Sequence, residues 1–262
     1  MTNRNEIDLE KKVFRKYISK DRYHKELQRS ILVDGLGSKT DLFKTLNVLG
    51  HSDENCKIEF QIIEPFSFRK SYLQASRFFC AKEKLTVLKE LFVRLGEVLA
   101  YIHSIKPVSS ADCFPKGFFE DRFNKQTDEV FIHGDFTMNN IFIYNNEFTI
   151  IDWNTSSLFD FHAEVGPAYW DISFFASSLF NISFTTLFSY QQKKFLMNEF
   201  LSSYVEKRAL NKKAFLIELK SFLLSYNYYA LANYKSVLKK NKNAFLLKRS
   251  KDQLERFISE LK

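Results

Sequence analysis

Two carboxylates and an amide stand near the middle of the chain in an arrangement suited to phosphoryl transfer. Asp135 and Asn140 lie five residues apart in the run Phe-Ile-His133-Gly134-Asp135-Phe-Thr-Met-Asn139-Asn140, and Asp152 follows in Ile-Ile-Asp152-Trp153. Apolar runs at 130–132 and 141–144 bound the first motif; Asn145-Asn146 signals a turn, and a further apolar run at 148–151 delivers Asp152. Short apolar runs around a turn signal predict a hairpin. A loop leading into that hairpin can hold Asp135, Asn140 and Asp152 around one small volume. Phosphoryl transfer asks for an acceptor for a hydroxyl proton and hard oxygen ligands for Mg²⁺, with little further covalent chemistry. Asp and Asn are also ordinary turn formers. What separates the chemical reading from that plainer one is the agreement of two spaced motifs in order and in flanking strand pattern.

The order His-x-Asp-x₄-Asn, then Ile-Ile-Asp-Trp, resembles the aminoglycoside phosphotransferase and choline kinase superfamily. The wording His-Gly-Asp-Phe-Thr followed by Asp-Trp is most similar to phosphotransferase-like proteins of bacterial surface-polysaccharide loci. The resemblance implies an α+β, protein-kinase-like, two-lobed fold. In it Asp135 is the catalytic base, Asn140 and Asp152 hold Mg²⁺, and His133 braces the loop. Downstream, Gly166-Pro167-Ala168-Tyr169-Trp170-Asp171-Ile172 resembles the segment that follows the metal-binding Asp in this superfamily. There Asp171 is structural, expected to cap a helix over 172–180. Upstream, apolar residues at helical spacing predict a long helix over 85–103. His103, at its end, is expected to pack or hydrogen-bond rather than act in catalysis.

Other elements must bring a nucleotide to these residues. Residues 13–18 form a short strand candidate carrying Lys16, and residues 23–28 open a helix carrying Glu26. The pair resembles the kinase ion pair, in which Lys contacts ATP phosphates and Glu orients Lys. Lys11, Lys12, Lys20 and Lys25 crowd the same region, and spacing to Glu26 together with apolar flanks favours Lys16. Residues 57–64 alternate like a strand and run into Pro65-Phe66-Ser67, which resembles the interlobe hinge, so Glu64 and Phe66 are expected beside adenine. No glycine precedes Gly35, so the Gly-rich loop of this class is lacking, and one strand at about 5–10 is expected before Lys16. The segment Asp34-Gly35-Leu36-Gly37-Ser-Lys-Thr lacks P-loop spacing and reads as a connecting turn. The expected division is a reduced N-terminal nucleotide-binding lobe over 1–66 and a mainly helical catalytic lobe over 67–262.

Composition agrees. The 262 residues are 45% hydrophobic, with 29 Phe against 7 Gly and 4 Pro, which favours long packed helices over a sandwich or a disordered chain. Three scattered cysteines without metal-ligand spacing, and an N-terminus without an apolar core, point to a reduced, cytoplasmic protein. Residues 172–188 are the most apolar stretch, but Ser, Asn and Thr interrupt it and predict a buried helix. Charge is uneven. From Leu201 onward 14 Lys and Arg face 5 Asp and Glu, a net of +9, while the first 200 residues carry −1. Lys235, Lys239, Lys240, Lys242, Lys248, Arg249 and Lys251 form a basic border that suits an anionic acceptor or peripheral contact with a membrane surface better than a polycationic aminoglycoside. A solvated lysine-rich face gives the same pattern. Nucleic acid is not expected, because no recognised binding module is present. The function expected is Mg²⁺-dependent transfer of the ATP γ-phosphoryl group to a hydroxyl of a small molecule or glycan. A pseudokinase scaffold is the alternative: the absent glycine loop speaks for it and the intact Asp135, Asn140 and Asp152 against it. A basic membrane-peripheral module without catalysis rests on the C-terminal charge alone.

Overall fold

The computed structural model describes residues 4–62, 66–67, 82–107, 112–114, 129–144, 147–153, 163–181, 188–238 and 244–261. The chain forms two compact units, Met1–Arg69 with Asn139–Trp153, and Lys70–Met138 with Asn154–Lys262.

In the first unit, strands β1 (Arg4–Asp8), β2 (Val13–Tyr17), β4 (Val48–Ser52) and β5 (Lys57–Gln61) form an antiparallel sheet in the order β1-β2-β5-β4. One strand therefore precedes the lysine strand, as expected, joined to it by a glycine-free turn at 9–12 in which Lys12 takes φ 53°. Helix α1 (Lys20–Gly37) lies over this sheet, burying Tyr23 and Leu27 against Ile18, Ile58 and Phe60. The period-2 alternation of β5 and the helical spacing of α1 supply the two matching apolar faces. Asp34-Gly35-Leu36-Gly37 is the last turn of α1 rather than a connecting turn. Its apolar Leu36 is buried with the helix face, and packing of that face outweighs the weak helix propensity of two glycines.

A second sheet has the order β3-β9-β8-β6, from β3 (Phe43–Lys44), β6 (Phe66–Ser67), β8 (Ile141–Tyr144) and β9 (Glu147–Ile150). The antiparallel β8–β9 pair is the hairpin that the apolar runs predict. A lobe boundary at residue 66 leaves this hairpin in the C-terminal lobe, and the structure corrects that. β3 pairs with β9 and β6 with β8, so backbone hydrogen bonds tie 139–153 to the N-terminal unit.

The second unit is mainly helical: α2 (Lys82–Ile102), α3 (Tyr169–Asn181), α4 (Tyr190–Lys207), α5 (Lys212–Leu238) and α6 (Ala244–Glu260), with a small antiparallel pair of β7 (Glu129–Phe131) and β10 (Val165–Pro167). Gly96 lets α2 and α4 approach closely, since an added Cβ would collide with the Phe200 carbonyl oxygen. Ser189 and Gln192 form a reciprocal capping box at the start of α4. The abundant phenylalanines fill this unit: Phe92, Phe136 and Phe200 surround Phe175 at ring distances of 5.6, 5.7 and 4.6 Å. Residues 172–180 of the apolar stretch lie in α3, most of them buried, and 182–187 lie outside the described residues. Among the described residues no helix is long and apolar enough to cross a membrane.

Candidate active site

Asp135 sits in a loop whose backbone is pinned from several sides. The Asp171 carboxylate accepts the N–H groups of His133 and Gly134 at 2.6 and 2.8 Å. The Trp170 indole N–H donates to the Gly134 carbonyl at 2.9 Å. Gly134 has φ 92°, a conformation that glycine adopts without steric cost. The His133 Nδ1 accepts the Asp135 N–H at 3.2 Å, so His133, fully buried, does brace the loop. Thr137 N–H closes a tight turn onto the Asp135 carbonyl at 2.8 Å. Asp135 itself is half-buried at the centre of this frame.

Asp171 was expected to cap its own helix. Instead α3 begins at Tyr169, and Asp171 reaches out to the loop. A carboxylate with no solvent exposure must be met by donors, and two backbone amides and an imidazole supply them. The imidazole is His103, whose Nε2 lies 3.1 Å from Asp171 Oδ2. Facing a carboxylate, Nε2 carries the proton, which leaves Nδ1 to accept the Tyr204 hydroxyl at 2.8 Å. Arg208 donates to the His103 carbonyl at 2.7 Å. Burial pushes the His103 imidazole below its ordinary value despite Asp171, so it is neutral. Burial alone would raise the Asp171 carboxyl, but the bonds from His103 and the His133 amide outweigh it and hold the carboxyl below the usual range. His103 is thus a hydrogen-bonded histidine, as the sequence suggested. Its partners Tyr204 and Asp171 lie 101 and 68 positions away, and no local pattern announces them.

In the first unit the structure brings Lys16, Glu26 and Asp152 together. Lys16 on β2 forms an ion pair with Glu26 on α1, and its Nζ lies 3.4 Å from Asp152 Oδ1. Burial would lower the Lys16 ammonium, but Glu26 and then Asp152 outweigh it and raise it. Asp152 follows β9 with φ 58°, left-handed backbone that Asp tolerates better than most residues. Trp153 locks the position: its indole N–H donates to the Ile150 carbonyl at 3.0 Å and its ring packs on Phe43 at 5.9 Å. Asn140 stands at the same end of the hairpin, its carbonyl accepting the Ile151 N–H at 2.9 Å. The β8–β9 register thus places amide and carboxylate one residue out of step on adjacent strand ends.

Glu64 and Phe66 are the other sequence-derived site residues. Phe66 opens β6, with its side chain outside the described residues, and Glu64 lies outside them altogether. So do the side chains of Lys235, Lys239, Lys240, Lys242, Lys248, Arg249 and Lys251, and with them the basic border.

The donor set suits Mg²⁺. Asp152 and Asn140 offer hard oxygens, and the Asp152 side chain is half exposed, which leaves room for water and phosphate oxygens. Among the described residues no group of three His, Cys, Asp or Glu forms a metal cage. Mg²⁺ is characteristically held by one or two carboxylates together with phosphates and waters.

Residues 111–188, which include the pinned loop, Asp152 and Asp171, match the sequence profile of the phosphotransferase enzyme family. Over 98% of its length the chain superposes on a glucosamine kinase solved with glucosamine, ADP and inorganic phosphate, with TM-score 0.65, 11% identity and 80% of that chain covered. A choline/ethanolamine kinase family protein from Mesorhizobium loti matches 98% of this chain and 85% of its own at TM-score 0.50 and 12% identity. An aminoglycoside phosphotransferase from Streptomyces rimosus matches 84% and 92% at TM-score 0.52 and 10% identity. No curated protein matches the chain by sequence. The fold is protein-kinase-like, of the kind shared by choline kinases and aminoglycoside phosphotransferases, as the motif wording anticipated.

Proposed function

We propose that this chain is a Mg²⁺-dependent phosphotransferase that moves the γ-phosphoryl group of ATP to a hydroxyl of a small molecule or glycan. The observation that carries the reading is the Lys16 ammonium held between Glu26 and Asp152. A raised, fixed ammonium beside a half-exposed carboxylate is what a nucleotide's phosphates require. Glu26 orients Lys16 toward the donor phosphates, and the backbone at Phe66, after Glu64, meets adenine. Asp152 and Asn140 hold Mg²⁺, which when bound neutralises charge on the donor phosphates. Asp135 accepts the proton as the acceptor oxygen bonds to the γ-phosphorus and the bond to ADP breaks; phosphorylated acceptor and ADP leave.

The pinned loop supports the role of Asp135. A base works when its position is fixed before the substrate arrives, and Asp171, Trp170 and His133 fix the backbone that carries this one. The acceptor is a hydroxyl compound in a cytoplasmic setting, and the basic C-terminal composition favours one with an anionic group.

The test is a screen of sugars, sugar phosphates, amino alcohols and nucleosides for ATP- and Mg²⁺-dependent phosphorylation. Transfer to at least one compound class, abolished by Asp135→Asn, is the expected result. ATP binding without transfer to any acceptor would point to a scaffold instead, and absence of both binding and transfer would end the reading.

A further inference from the structure

Where α4 ends and α5 begins, a cavity of about 260 Å³ opens among Val130, Tyr169, Tyr204, Arg208, Phe215 and Glu218, all in the second unit. Asp135 does not line it. The cavity holds one cation and one anion. Arg208 lines the cavity and spends one N–H on the His103 carbonyl, and a guanidinium carries five N–H donors in all. Glu218, exposed at the rim, accepts the Tyr169 hydroxyl at 2.5 Å. The walls are aromatic, with Phe215 set 5.5 Å from the Tyr169 ring and 5.6 Å from Tyr204.

We propose that this cavity is an effector site for a small zwitterion of the α-amino-acid type, with its carboxylate on Arg208 and its ammonium on Glu218, coupled to the loop that carries Asp135. A simple anion meets Glu218 and a simple cation meets Arg208; a zwitterion satisfies both. Arg recognises a carboxylate through its planar fork, and tyrosine and phenylalanine rings suit an apolar side chain or an ammonium. The volume lies below the range of about 300–1,000 Å³ typical of drug-sized ligands, which fits a molecule of this scale.

The coupling runs through His103, which two cavity residues hold at once. Tyr204 donates to its ring and Arg208 to its carbonyl. His103 in turn donates to Asp171, which holds the amides of His133 and Gly134. The Arg208 charge also adds to the burial that keeps the His103 ring neutral, and a carboxylate on Arg208 offsets that charge. A ligand there biases the grip of Asp171 on the catalytic loop.

The test uses the full chain without nucleotide, so it stands apart from the phosphotransfer reading, which survives its failure. The L-amino acids are titrated singly by calorimetry and ligand-observed NMR, followed by the N-acetyl and decarboxylated forms of any binder. At least one amino acid should bind saturably, about tenfold more weakly in Glu218→Gln and in Arg208→Lys, with both chemical analogues failing. Glu218→Gln keeps an acceptor for Tyr169, and Arg208→Lys keeps a donor for His103, so the fold is retained. Binding should change hydrogen exchange at the His133 and Gly134 amides in the native chain, and less in Tyr204→Phe, which keeps only the Arg208 contact to His103. Binding by no amino acid, equal binding by the N-acetyl form, insensitivity to both variants, or unchanged exchange at those amides would each overturn the proposal.

Discussion

The Asp171 carboxylate accepts the His133 backbone N–H at 2.6 Å across 38 positions of sequence. That bond, with its neighbour at Gly134, sets the loop before any substrate binds. Replacing Asp171 by Ala strands two buried amides and the His103 N–H together. Each buried neutral donor left unpaired costs about 1–3 kcal/mol, and urea unfolding should show a loss of at least that order. Asp171→Asn keeps one acceptor oxygen and should lose less.

Acid should weaken the fold in two stages, with the sign fixed by the two shifts. The folded His103 value lies below its ordinary one, so its contribution is complete above the unfolded value of about 6.5 and fades as pH falls below it. Asp171 is also depressed; its contribution is present above an unfolded value of about 3.9 and is lost as pH falls further. While His103 is charged only in the unfolded chain, stability should drop by about 1.4 kcal/mol per pH unit. Unfolding curves at a series of pH values check this, and His103→Gln should lessen the upper stage.

Lys16→Met tests the ion pair. It leaves Glu26, 12% exposed at its side chain, without its partner, and a lost charged hydrogen bond costs about 1.5–3 kcal/mol. Nucleotide affinity should fall far more than that loss of stability explains, because the donor phosphates lose their fixed cation. Equal ATP affinity in the mutant, measured by calorimetry, would refute the assignment of Lys16.

The metal assignment is best probed with Asp152→Asn rather than Asp152→Ala. Asn accepts the left-handed backbone at φ 58°, whereas a residue without that tolerance pays about 1–2 kcal/mol there. Asp152→Asn should abolish most of the Mg²⁺-dependent part of ATP binding and leave the thermal midpoint nearly unchanged. Asn140→Ala, which removes no charge, should lose less. Binding in Mg²⁺ against EDTA separates the two contributions.

Asp135→Asn should lower turnover by about 10²–10⁴-fold, the usual contribution of a positioned base. Its neighbours hold the loop through backbone groups, so fold and nucleotide affinity should survive. Near-native turnover on an established acceptor would remove Asp135 from the role of base.

The sequence by itself determined the parts of this protein that rest on short-range rules. The β8–β9 hairpin, the strand of Lys16 and the helix ending near His103 follow from apolar periods of 2 and 3.6, which are local properties of a chain. The motif His133-Gly134-Asp135 with Asn140 and Asp152 was legible because its members lie within twenty positions of one another and stand in the order that the resembled superfamily carries. What those residues meet was decided only by tertiary structure. Asp171 reads as a helix cap, because an Asp just ahead of an apolar helix usually is one; in the fold its carboxylate is enclosed, and an enclosed charge turns to whichever donors packing brings, here the loop amides and His103. The hairpin reads as part of the C-terminal lobe, yet its free edges pair with β3 and β6, and strand pairing is set by which unsatisfied edges come together, not by order along the chain. The Tyr204–His103–Asp171 chain bonds residues 101 and 68 positions apart. Such a contact costs the chain loop-closure entropy and leaves no periodic trace, so burial alone could reveal it.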